Sequence, residues 1–172
     1  TAFARFALKI MMPPNPVKAL DNVYNTQQQA GFDFYMKSNA DNIATCNGCH
    51  AFDASKGRYG TDGTMAYEGP TISENFKIPQ LRNMYTKVGF FSRNHPQYEV
   101  VGDQIRGNGY SLDGVQGSIA SFLDALVFQP VNATARANLE AFVLAFPSNF
   151  DPVVGQQLTV TPDNAAQSDV AA

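Results

Sequence analysis

Apolar residues recur with helical spacing in two stretches of the C-terminal third. Ile119, Phe122, Leu123 and Leu126 fall at i, i+3, i+4 and i+7, behind Ser118 as a candidate N-cap and ahead of Pro130. Leu139, Phe142, Val143 and Phe146 repeat the pattern in a segment capped near Thr134 and stopped by Pro147. Each pattern predicts a helix that buries one stripe. A third helix is expected from Thr26, whose side chain suits a cap, through Gln27 to Met36, with a loose apolar register and Gly31 in its interior. A short fourth one is expected over Ile78 to Tyr85, with Pro79 in its first turn and Leu81, Met84 and Tyr85 on one inward face.

Between Ala51 and Phe76 there is no sustained period, and Gly, Asp, Ser, Thr and Tyr dominate, which predicts ordered loop. From Gln156 onward large apolar residues are almost lost after Val160, as in a linker stub or frayed end. The expected architecture is therefore all-α, with helices and long ordered loops packed so as to leave a crevice for a flat apolar cofactor. Three parts are expected along the chain: an N-terminal extension over residues 1–24, one domain over 25–160, and a flexible tail or linker over 161–172.

Composition narrows the picture. A length of 172 residues supports one domain with a real core, and 44% hydrophobic residues is globular, while Gly 13 and Pro 10 agree with long loops. No run approaches the roughly 20 apolar residues of a membrane span. A net charge of -3 and a pI near 5.2 lack the basic footprint of a nucleic-acid binder and favour a basic or neutral docking partner. Thr1 is not a start methionine, and the first ten residues lack the long apolar core of a signal peptide, so a processed product or a module of something longer is expected.

The only cysteines occur in Cys46-Asn47-Gly48-Cys49-His50, the CxxCH spacing that attaches a c-type haem covalently. Two thiols separated by two residues reach the two vinyl groups on one porphyrin edge, and the adjacent histidine is then held beneath the iron as its proximal ligand. Gly48 lets the turn approach the ring closely. Cys46 and Cys49 are accordingly assigned to thioether bonds and His50 to the iron, with one covalent haem c. Three other chemistries use similar residues. A thioredoxin-like dithiol calls for a βαβ setting that is missing here. A structural zinc site normally needs four ligands, and the chain has two Cys and two His. A disulfide across two residues would leave His50 unexplained.

The ligand opposite His50 decides the chemistry. Methionine raises the haem potential and suits an electron carrier, histidine lowers it, and an open position admits small molecules. Met11, Met12 and Met36 precede the motif, before the chain has passed to the distal side. Met84 stands far enough downstream, on the inward face of the Pro79 segment; Met65, in a loop, is the alternative; His95 or no protein ligand is a third. Arg82, Arg106 and Arg58 are the cations placed to pair with haem propionates, Arg82 foremost because it shares a short segment with Met84.

The order of further motifs carries a resemblance. Gly60-Thr61-Asp62-Gly63, then Phe76-Lys77-Ile78-Pro79-Gln80-Leu81-Arg82-Asn83, then Arg106-Gly107-Asn108-Gly109, and finally Val154-Gly155-Gln156-Gln157 follow CNGCH. This set resembles the haem domains of the bacterial di-haem cytochrome c peroxidase superfamily, and more closely the monohaem cytochrome modules at the ends of larger secreted bacterial proteins. The likeness spans roughly residues 25 to 160. Two positions depart from it. Lys87-Val88-Gly89 is followed by Phe90 and Phe91 where the family often carries methionine, and Gly109 to Gly114 lacks the histidine common there. The resemblance implies a cytochrome c-like fold around one haem, and one candidate electron acceptor, a copper-dependent polysaccharide monooxygenase.

The reading expected from the sequence is a monohaem c-type cytochrome passing single electrons between redox proteins through a His50/Met84-ligated haem, not an enzyme in its own right. The competing reading is a peroxidase-like haem enzyme or gas sensor with an open or weakly held sixth site, although a di-haem peroxidase would need a second CxxCH and none exists. A haem-free structural domain leaves the two thiols without a role. Because bacteria attach haem c outside the cytoplasm, a periplasmic, cell-surface or extracellular location is expected.

Overall fold

Asn25 starts the first long helix. Its side chain accepts a hydrogen bond from the Gln28 N–H while the Gln28 side chain accepts from the Asn25 N–H at 3.1 Å, a reciprocal capping box. The cap is thus Asn25, one residue ahead of the expected Thr26. The computed structural model describes residues 1–7, 9–41, 43–67, 75–89, 107–111, 114, 116–128, 131–157 and 159–166. Its helices are α1 (Ala2–Ala7), α2 (Thr26–Lys37), α3 (Cys46–Cys49), α4 (Ile119–Leu123) and α5 (Ala133–Leu144). α2 and α5 are the two main helices and pack against each other.

Gly31 explains how closely they cross. A Cβ built there would lie 2.0 Å from the Asn138 carbonyl oxygen and 2.7 Å from Phe142 Cβ, so only glycine admits the α5 backbone at this point. The residue that weakens α2 as a helix thereby makes its packing possible. α5 is capped by Asn132, whose side chain accepts from the Ala135 N–H at 2.9 Å, rather than by Thr134. Leu139, Phe142 and Phe146 are almost fully buried, as their spacing predicts. Around them Tyr24, Phe32, Tyr35 and Phe52 meet Phe142 and Phe146 mostly edge-on, with ring centroids 5.2–5.8 Å apart where they face those two phenylalanines.

α4 begins at Ser118 as expected, but it stops at Leu123 and a 3₁₀ turn follows over Leu126–Phe128. Leu126 is 85% exposed, so it does not continue the buried stripe. The Ile78–Tyr85 segment departs further. Asn83 adopts the left-handed conformation (φ 58°), which ends any helix through it, and only a 3₁₀ turn over Met84–Lys87 forms. Leu81 is nonetheless buried, held by its N–H donating to the Tyr59 carbonyl at 3.0 Å.

The expected loop after the CxxCH motif contains two small antiparallel sheets. β1 (Phe52–Asp53) pairs with β2 (Arg58–Tyr59), and β3 (Met65–Tyr67) pairs with β4 (Asn75–Lys77). The molecule is mostly helical with these small sheets added. Strands of two or three residues are too short to show an alternating pattern, which is why the sequence reads as loop.

Before α2 the chain lies against the end of α5. Asn15 is buried and donates from Nδ2 to the Leu144 and Phe146 carbonyls, at 2.8 and 3.0 Å. Ser148 donates to the Pro13 carbonyl at 2.6 Å, and the Met12 N–H donates to Asn149 Oδ1 at 2.9 Å. Part of residues 1–24 is therefore integral to the packing. No helix of the described residues is long and apolar enough to cross a membrane.

Candidate functional site

The CxxCH motif forms a helical turn of its own. Thr45 caps α3, its hydroxyl accepting from the Gly48 N–H at 3.0 Å, and the His50 N–H closes the turn on the Cys46 carbonyl at 2.7 Å. Asn47 is bound into the next element, since its Oδ1 accepts from the Phe52 N–H at 2.9 Å. From below, the Tyr35 hydroxyl of α2 donates to the His50 carbonyl. The turn is thus held by α2 on one side and by β1 on the other.

His50 Nδ1 faces two backbone carbonyl oxygens, of Gly60 and Pro79, each at 3.1 Å. Two acceptors oppose it, so the proton resides on Nδ1 and the Nε2 lone pair is left for another electrophile. Both carbonyls are held in place. The Gly60 N–H donates to the Ala51 carbonyl at 2.8 Å, and Gly60 has φ 86° with a would-be Cβ 2.6 Å from Leu81, so no other residue fits. Burial lowers the His50 pKa, opposed by the two carbonyl contacts, and so favours the neutral imidazole that a metal requires.

The cysteines are not joined in a disulfide. Burial pushes the Cys46 thiol up to about 11, the opposite of the lowered value that activates a redox dithiol. Cys49 is exposed, and among the described residues no group of three His, Cys, Asp or Glu side chains is placed to hold one ion. Dithiol exchange and structural zinc therefore fit these residues poorly.

Met84 and Cys46 both pack against the one buried core cluster, whereas Met65 is 55% exposed on β3. The Met84 carbonyl accepts from the Tyr110 hydroxyl at 2.9 Å, and its neighbour Asn83 has a buried Oδ1 without a partner among the described residues. Arg82 is engaged with Gln80, whose Oε1 accepts from Nε at 2.9 Å, with Asn149, and with the Tyr59 ring 5.4 Å from its guanidinium carbon. Arg58 is exposed on β2. Arg106 and His95 lie outside the described residues, as do Phe90, Phe91, Leu112, Asp113 and Pro130.

Sequence reasoning missed Gly60, Pro79 and Tyr35 as parts of the site. Two of them act through backbone carbonyls, which no side-chain pattern announces; only the glycine requirement at position 60 was there to be read. Comparison of the chain with known protein families, with curated proteins and with solved structures found no match to any of them.

Proposed function

We propose that the protein is a monohaem c-type cytochrome that passes single electrons between redox partners, in which Cys46 and Cys49 would hold the haem through thioether bonds and His50 and Met84 would bind its iron. The observation that carries this reading is the His50 ring. Its Nδ1 is committed to the Gly60 and Pro79 carbonyls, which fixes the tautomer and leaves the Nε2 lone pair free on the residue that follows the two unpaired thiols of the turn. The order of the Gly60, Pro79, Arg106 and Val154 motifs, which resembles monohaem modules of the di-haem cytochrome c peroxidase superfamily, agrees with it.

When bound, the haem supplies a one-electron couple at its iron. The chain's own residues set the conditions. The two carbonyls draw on the His50 N–H and make Nε2 a stronger electron-pair donor toward any metal it would bind. The hydrogen bond from Tyr35 ties the end of α3 to α2, and the Thr45 cap closes its first turn. Met84 rather than Met65 is the sulfur ligand in this reading, because it shares the buried core with Cys46 while Met65 faces solvent. The propionate role of Arg106, and of Arg82 beyond its present contacts, belongs to the same proposal, as do an extracytoplasmic location and a redox protein, such as a copper-dependent polysaccharide monooxygenase, as acceptor.

The test is the absorption spectrum of protein made in a host that installs haem c. A low-spin spectrum, with the weak sulfur-to-ferric-iron band present in the parent and lost in Met84→Ala, is expected. An unmodified polypeptide by mass spectrometry overturns the haem assignment. A high-spin ferric form that takes up cyanide readily overturns the sixth ligand and favours the peroxidase or sensor reading.

A further inference from the structure

The first eleven residues combine exposed apolar side chains with cations. Phe3 and Phe6, one turn apart on α1, are 77% and 63% exposed, and Ile10 and Met11 just beyond are 55% and 59% exposed. Arg5 and Lys9 stand among them, also exposed. No acidic residue occurs before Asp21, although the whole chain carries a net charge of -3. An apolar patch of this density on a soluble surface marks a contact with something else.

The charge pattern selects what that is. Exposed phenylalanines interleaved with cations, free of acid, are the composition by which a short helix lies in the headgroup region of a negatively charged bilayer. The remaining chain carries the excess of acid, so this segment is the cationic part of an otherwise acidic chain. The patch is firmly connected to the body: the chain is fixed immediately after it, where the Met12 N–H donates to Asn149 Oδ1 and Asn15 is clamped to α5. Anything that holds α1 therefore holds the folded domain.

We infer that α1 together with Lys9, Ile10 and Met11 forms a peripheral docking surface for anionic lipid, with Phe3, Phe6 and Ile10 entering the interface and Arg5 and Lys9 pairing with phosphate headgroups. This inference does not depend on the haem reading and survives its failure.

Co-sedimentation of the full chain with vesicles tests it. Binding is expected to vesicles of three parts phosphatidylcholine to one part phosphatidylglycerol, not to pure phosphatidylcholine, and it should weaken as salt screens the charges. Arg5→Gln with Lys9→Gln should lower the partition about 25-fold, at about fivefold per cation. Phe3→Ala and Phe6→Ala should each lower it about tenfold. All four side chains are exposed, so the variants are expected to fold; unchanged thermal melts would show it. No binding to the anionic vesicles overturns the inference. So does binding that the four substitutions leave intact, or self-association in analytical ultracentrifugation that Phe3→Ala and Phe6→Ala abolish, which would assign the patch to a second copy.

Discussion

At the scale of single residues, the site depends on two carbonyl groups more than on any side chain beyond the motif itself. Gly60 is at φ 86°, and an added Cβ would run into Leu81 at 2.6 Å. Gly60→Ala therefore costs about 1–2 kcal/mol for the left-handed backbone alone, and it moves a carbonyl away from His50. With haem installed, a weaker carbonyl contact makes Nε2 a poorer donor, so the midpoint potential is expected to rise relative to the parent in a voltammetric or dye-coupled titration. An unchanged potential with a lowered Tm would mean that Gly60 acts only on folding. The Thr45 cap is a milder case: Thr45→Ala should cost about 1 kcal/mol, read as a lower denaturation midpoint.

At the scale of elements, the crossing of α2 and α5 is where substitution is least tolerated. Gly31→Ala places a methyl group 2.0 Å from a backbone oxygen of α5, which cannot rotate away. The expected loss is at the upper end of the roughly 1–3 kcal/mol of overpacking, and a chain of this size would then melt about 10 °C lower by circular dichroism. A melt within 2 °C of the parent, a shift of about 2 °C being small on this scale, would show that the helices separate at little cost. These same elements show what a sequence discloses. The Leu139, Phe142, Phe146 stripe is legible because one buried face of a long helix imposes its period. The end of α4 and the Ile78–Tyr85 segment are not, because Leu126 and Asn83 obey local turn geometry that leaves the apolar spacing unchanged. The CxxCH turn is compact for a different reason: its residues are neighbours in sequence and close on one another within α3. The carbonyl pair behind His50 is brought together by the fold of separate loops and has no signature in residue types.

At the scale of the molecule, three tyrosines share one response to alkali. Burial pushes the Tyr24 phenol up to about 12 and raises those of Tyr35 and Tyr110 further, with the Cys46 thiol adding to the first of these and Glu140 to the second. Each phenol thus holds its proton more tightly folded than unfolded. Their contribution is intact below about pH 10, the unfolded value, and is lost as pH rises through the folded values. The tyrosine contribution to stability, measured by chemical denaturation, should fall steadily above about pH 10. Tyr35→Phe should flatten that fall while lowering stability at neutral pH, since it also removes the hydrogen bond to His50. A profile that stays level to pH 12, about two units above the free phenol, would show these hydroxyls to be open to water.

The seam between Met12–Asn15 and Leu144–Asn149 has a practical consequence for topology. Because these two stretches are hydrogen-bonded side by side, a cargo fused ahead of Met12 and another fused behind Asn149 would emerge as neighbours. A short bridge over that seam would close the chain into a ring, and new termini opened at the exposed tip between β1 and β2 would yield a circular permutant that keeps the α2–α5 crossing.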